Sequence, residues 1–318
     1  MNSIGENASG KLHNLIQTFI ILAAMSALFG LLGWMIFGIA GIIWSLVMVG
    51  VLLATTPKLT PAMVLRMYHA RPLTPGEVPG LYRLVSGLSS KAGLEAVPRL
   101  YYIPTKVMNA FSVGSGSNFD IALSDGLIRY LNARELEGVM AHEISHIMNN
   151  DLKLHTFADM MTRITSLFSF FGQVLLIFYL PMVLLSDVHV PLVFIFLLIF
   201  APTLSVFLQL ALSRTREFDA DLSAVKLTGD PEGLASALQK MDNFEKNLLD
   251  IFILPGRKNP HPSVLRTHPY TAKRIERIMK AGPHADRTFP GHNGGIVLPD
   301  HIPEIRRMPR SHWLRPWH

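Results

Sequence analysis

The sequence predicts a mostly α-helical membrane protein: two hydrophobic helical hairpins joined to a small polar α+β domain with a short sheet. Three observations carry that reading. No Asp, Glu, Lys or Arg occurs between Lys11 and Lys58. From Ile164 to Ser213 the only formal charge is Asp187, with Pro181 and Pro191 on either side of it. Between these two runs the chain returns to a mixed composition, in which His142-Glu143-Ile144-Ser145-His146 has the spacing of one helix face. Charged residues make up 16% of the 318 residues, against about 25% in ordinary soluble domains.

The first run is too long for one crossing. A spanning helix needs about 20 apolar residues, and the uncharged run holds more than twice that. Gly38-Ile39-Ala40-Gly41 offers the turn, which gives helices near 14–37 and 40–56. A cleavable signal peptide would carry an apolar region of only about 7–15 residues. The second run reads as another hairpin, with arms near 166–185 and 190–212; Gln173, Pro202 and Gln209 make this pair less purely lipid-like.

Cations border the runs and avoid the short turns. Lys11 precedes the first arm, Lys58, Arg66 and Arg71 follow the second, Arg163 precedes the third, and Arg214 and Arg216 follow the fourth. The positive-inside tendency therefore sets both termini and the polar domain on the cytoplasmic side of a cell membrane. The absence of Cys agrees, since no disulfide framework is available. The net charge of +6 is met by residues bordering a bilayer and by a basic tail with Arg306, Arg307 and Arg310. No nucleic-acid-binding pattern is visible, so the lipid bilayer is the expected partner rather than nucleic acid.

Composition divides the chain into a transmembrane hairpin at 1–56, a first polar part at 57–163, a second hairpin at 164–212, a second polar part at 213–282 and a Pro-rich basic tail at 283–318. Within the first polar part, Pro75 to Leu94 reads as a helix, and Arg99–Ile103 and Phe119–Leu123 as short strands. Asn132 with Glu135 forms an N-terminal capping pair, Leu136, Val139, Met140, Ile144 and Ile147 continue at helical spacing, and Asn149-Asn150-Asp151 marks the end. The His-Glu motif therefore lies inside a capped helix.

His142 and His146 at i and i+4 can ligate one metal ion while Glu143 serves as general base, the zinc-hydrolase pattern. Three protein ligands and an open fourth position are usual for a catalytic zinc. His155 is one source of the third ligand, although the extended signature lacks its glycine here. Glu217 is the other: it shares a helix face with Asp221 in Ser213-Arg214-Thr215-Arg216-Glu217-Phe218-Asp219-Ala220-Asp221. Asp221 could accept the free ring N–H of a ligand histidine. The same run also suits a solvated helix end after a hydrophobic segment.

The ordered set of Ala141-His142-Glu143-Ile144-Ser145-His146, the Ser213-Arg214-x-Arg216-Glu217-x-x-Ala220-Asp221 run and four hydrophobic helices closely resembles the HtpX-type membrane zinc metallopeptidases, which are related to the CAAX prenyl proteases. The resemblance implies a gluzincin-like domain with one Zn2+ per chain, Glu217 as third ligand and Asp221 as support for the site. Asn109-Ala110-Phe111 resembles the family's strand beside the cleft, which implies that a protein or peptide substrate is held there in extended form. Thr267-His268-Pro269 with Arg274 resembles its His-Pro element; this implies that His268 donates to the developing oxyanion and that Arg274 steadies the site. The activity implied is peptide-bond hydrolysis on misfolded or membrane-associated proteins. A membrane scaffold that has kept the protease framework without catalysis is the competing class, and the presence of Glu143 beside the candidate ligands argues against it.

Overall fold

The computed structural model describes residues 3–55, 61–185, 192–252 and 271–281. The chain forms two compact units. One contains the long apolar helices; the other contains a four-stranded sheet and the shorter helices around it.

The helical unit is built from α1 (Ser3–Thr55), α6 (Asp151–Leu185) and α7 (Leu192–Thr228) as far as Ala220. All three are long and apolar enough to cross a membrane. Helix α1 is broken at Gly38, whose φ of 61° a side-chain-bearing residue rarely adopts. The backbone reverses there. Ser45 Oγ donates to the Phe29 carbonyl at 3.5 Å, although sixteen residues of straight helix would place them about 24 Å apart. A Cβ on Gly33 or Gly41 would strike the other's backbone, so the returning helix passes close to the outgoing one.

Apolar side chains of this unit point outward, with Phe178 77% and Trp44 71% exposed. Hydroxyls point inward: Ser205 Oγ donates to Thr162 Oγ1 at 3.1 Å, and Ser169 to the Leu198 carbonyl. A bundle in hydrocarbon requires this pattern, because lipid solvates apolar surface and cannot satisfy hydroxyls. Met25, Phe29, Phe157, Met161 and Leu212 fill its interior. The chain is a membrane protein.

Helices α6 and α7 each run well past the apolar arms read from composition. The charged residues at 151–163 and 213–228 continue the same helices, and Pro202 does not end α7. Composition changes at 163/164 and 212/213, whereas packing divides the chain at Met148/Asn149 and Ala220/Asp221. Hydrogen bonding along a helix is indifferent to whether its side chains face lipid or water, so a polar stretch can continue an apolar helix without a break.

The second unit begins with α2 (Pro61–Met67) and β1 (Arg71–Leu73), followed by α3 (Pro79–Lys91), β2 (Arg99–Ile103), β3 (Ala110–Ser115), β4 (Asn118–Ser124), α4 (Asp125–Tyr130) and α5 (Ala133–Met148). It is completed by α7 from Asp221, α8 (Pro231–Phe252) and α9 (Thr271–Ala281). The expected helix at 75–94 begins four residues late, because Thr74 N–H and Oγ1 both donate to Glu77 Oε2 in a turn and Pro79 then supplies the first helical position. Strand order is β1-β2-β4-β3; β2 and β4 are parallel and the outer pairs antiparallel. This leaves β3 at the edge. Arg99 faces Asp120 across the β2/β4 register and forms a two-bond ion pair with it at 2.6 and 3.0 Å. Helix α5 packs on α8, α3 and β3. At Gly138 a Cβ would lie 2.9 Å from the Leu234 backbone, so only glycine permits this approach of α5 to α8.

Candidate metal centre

Helix α5 carries the His-Glu motif and starts with the cap read from sequence. Glu135 N–H donates to Asn132 Oδ1 at 2.9 Å, and Asn132 N–H to Glu135 Oε2 at 2.9 Å. Glu135 also accepts from Ser236 Oγ at 2.6 Å and Lys240 Nζ at 2.8 Å, which ties α5 to α8. Burial pushes its carboxyl up, but Lys240, Ser236 and the Asn132 N–H outweigh that and hold it below the ordinary glutamate range. At the other end, Asn150 takes a left-handed φ of 58°, and α5 stops at Met148.

One turn apart on α5, His142 and His146 bring their Nε2 atoms to 3.1 Å. Two nitrogens held about 2.05 Å from one ion in tetrahedral geometry would stand about 3.3 Å apart, so the spacing suits a shared ion. The other ring nitrogen of His142, Nδ1, lies 3.1 Å from Asp221 Oδ1. An Nδ1–H donating to that carboxylate leaves the Nε2 lone pair directed at His146.

Asp221 is itself gripped by a buried cation. Arg274 on α9 donates from Nε to Asp221 Oδ2 at 2.7 Å and from Nη2 to Oδ1 at 2.7 Å, and it is 1% exposed. This bidentate pair compensates the buried charge of both partners. Both residues singled out as supports are thus placed, and joined, behind His142.

Glu217 stands one turn before Asp221 on the same helix, so α7 presents the two carboxylates on one side. One ligand atom each from His142, His146 and Glu217 lie within 4.8 Å of one another. Two imidazoles and a carboxylate form a donor set that fits a divalent ion of the zinc type and leaves a fourth position open. The site could hold a metal on this ground. His155 does not join the group.

Glu143 is buried, and its Oε2 accepts from Ser112 Oγ at 2.7 Å. Ser112 Oγ also lies 3.3 Å from the Glu143 carbonyl, but a hydroxyl has one proton, and the shorter contact to a carboxylate takes it. Nothing in the sequence singled out Ser112. Once β3 is aligned along α5, alternation along the strand is the signal that finds it.

Asn109 precedes β3; its N–H donates to Ser124 Oγ at 2.9 Å and its carbonyl accepts from Ser124 N–H at 3.0 Å. Ala110 and Phe111 pair with Leu123 and Ala122, so their strand is the edge strand beside α5. His268 lies outside the described residues.

Peptidase family M48 matches residues 77–281 of the chain. A Protease HtpX homolog of Desulforapulum autotrophicum is 32% identical over 282 residues, covering 83% of this chain and 89% of the relative. One from Ralstonia nicotianae is 33% identical over 279 residues, covering 84% and 96%, and one from Thermococcus sibiricus is 33% identical over 287 residues, covering 83% and 95%. Among solved structures, S. mikatae Ste24p aligns with a TM-score of 0.48 and 22% identity, over 85% of this chain and 67% of that one. The matched segment runs from the turn before α3 through α9 and includes the paired histidines, Glu217, Asp221 and Arg274. The chain belongs to peptidase family M48, among the membrane metallopeptidases of the HtpX type.

Proposed function

We propose that the protein is a zinc endopeptidase that hydrolyses peptide bonds of misfolded or membrane-associated proteins at the cytoplasmic face of a cell membrane. His142, His146 and Glu217 are the metal ligands, and the observation that carries the reading is the meeting of these three side chains with Glu143 beside them. A zinc ion bound there would acidify water and polarise a carbonyl.

The chain's own residues supply the rest. Glu143 takes the proton of the attacking water and hands it to the departing amine, so it acts first as base and then as acid. Asp221 fixes the His142 tautomer, and Arg274 keeps Asp221 ionised and oriented. Substrate adds to the open side of β3 as an extended strand, held by main-chain hydrogen bonds near Asn109, Ala110 and Phe111. His268 is the proposed donor to the oxyanion. The catalytic domain is assembled from 57–163 and 213–282, and α1 and the α6/α7 pair form two spanning hairpins with both termini in the cytoplasm.

The test compares wild-type protein with Glu143→Gln, both purified in detergent with zinc restored, on an unfolded model substrate. The variant is expected to keep one zinc per chain by metal analysis and to lose about a hundredfold to ten-thousandfold in turnover. Zinc retained with undiminished cleavage would remove Glu143 from the chemistry. Equal inactivity of both proteins, insensitive to added metal, would favour the scaffold.

A further inference from the structure

Helix α2 is apolar on two opposite faces, and among the described residues only one of them is covered by protein. Leu65 is buried with Ile103 and Ala122 of the sheet, and Tyr68, Phe111 and Val113 pack against them. At about 100° per residue, Met63, Val64 and Met67 share a face roughly opposite Leu65. Met63 is 70% and Met67 60% exposed. Arg66, also exposed, borders this face. A short helix in water would place polar residues there.

What lies nearby along the chain is the bilayer. Helix α1 ends at Thr55 and α2 begins at Pro61, and six residue steps reach at most about 20 Å. The start of α2 must therefore remain within about 20 Å of the point where an apolar spanning helix ends, and its last residue within about 30 Å. An exposed face of two methionines and a valine, bordered by an arginine whose head can reach the phosphates, has the make-up of an interfacial helix.

We infer that α2 lies in the membrane interface, with Met63, Val64 and Met67 inserted at the boundary between headgroups and acyl chains. Its opposite face carries the sheet, so α2 holds the edge strand β3 close to the lipid surface. The occupant of this face is lipid rather than another protein.

The chain contains no cysteine, so single-cysteine variants can be spin-labelled in the full-length protein. Met63→Cys, Met67→Cys and, as the control on an exposed face of α3, Ser86→Cys are labelled and reconstituted into bilayers after unchanged melting has been verified. Collision with oxygen, which concentrates in lipid, is compared with collision with a water-soluble nickel chelate. The oxygen-to-nickel ratio is expected to be several-fold higher at 63 and 67 than at 86. A ratio at 63 and 67 equal to that at 86 would overturn the inference. So would an immobilised label shielded from both reagents, which would mean a protein cover such as a second copy of the chain. Neither readout involves cleavage, so failure here is distinguishable from failure of the proteolytic reading.

Discussion

In the helical unit Phe19, Ile39 and Phe178 face outward while Ser169, Ser205 and Thr162 are buried; in the sheet-bearing unit Leu100, Ile121 and Met140 are fully buried and Ser86 and Ser90 lie outside. The same side-chain types occupy opposite places because the two units are solvated differently. Water expels apolar surface, whereas hydrocarbon accepts it and penalises any polar group without a partner. Helix α7 belongs to both units: its apolar length, with Phe196 and Phe207 exposed, follows the hydrocarbon rule, and its end from Asp221 on, where Arg274 partners the buried carboxylate, lies in the sheet-bearing unit.

The largest effect expected is that of Glu143→Gln on turnover. Next comes Arg274→Met, which strands the Asp221 carboxylate without its cation and should cost about 3–5 kcal/mol of stability, read as a lowered melting midpoint in detergent. Adding Asp221→Leu should restore much of the melting, because two apolar partners leave no unpaired charge, yet zinc affinity should stay about 10–100-fold low for want of the His142 partner. Melting left unrestored by the second change would mean that the pair does more than neutralise itself.

Charge scanning tests the contrast of solvents directly. Leu46→Arg, on the outer surface of α1, should cost about 2.5–3.5 kcal/mol in membrane insertion, whereas Ser86→Arg, also exposed but on α3, should change stability by no more than about 0.5 kcal/mol. A glycosylation-based insertion assay measures the first and thermal melting the second. Equal tolerance at both sites would mean that α1 faces water.

Smaller again is Ser112→Ala. Loss of a hydrogen bond to a carboxylate should cost about 1.5–3 kcal/mol in transition-state stabilisation if it positions Glu143, expressed in kcat with zinc content unchanged. Ser112→Thr should recover part of it.

Below Ser112→Ala stands Asn132→Ala, about 1 kcal/mol for a lost cap. The Glu135 contacts add a pH dependence. Its folded pKa is depressed, so its contribution is present above about pH 4.3, the unfolded value, and is lost as pH falls through the folded one. Lys240 is nearly half exposed, and screening by water keeps that contribution small. Urea midpoints at neutral and acidic pH, with and without Glu135→Gln, measure it.

Much of this was readable where the physics is local. The Asn132/Glu135 cap, the one-turn spacing of His142 and His146, the Gly38 break and the two uncharged runs all depend on neighbours a few residues away, and local rules read such features directly. The pairing of Asp221 with His142 was legible only as an option, because Glu217 and Asp221 also fit a solvated helix end. The resemblance, not the spacing, gave preference to the other reading. Strand β1, the start of α3 and the hydroxyl of Ser112 were illegible, since each is decided by partners far along the chain.

By itself, then, the sequence determined which segments avoid water, which helix carries two histidines on one face, and where that helix begins and ends, because each follows from composition or from spacing within a few turns. Only the tertiary structure decided that α7 continues unbroken from apolar to charged residues, that Arg274 rather than solvent neutralises Asp221, and that β3 aligns Ser112 with Glu143. Those outcomes depend on backbone segments tens of residues apart meeting at hydrogen-bonding distance. Folding sets such distances through packing, and no local pattern encodes them.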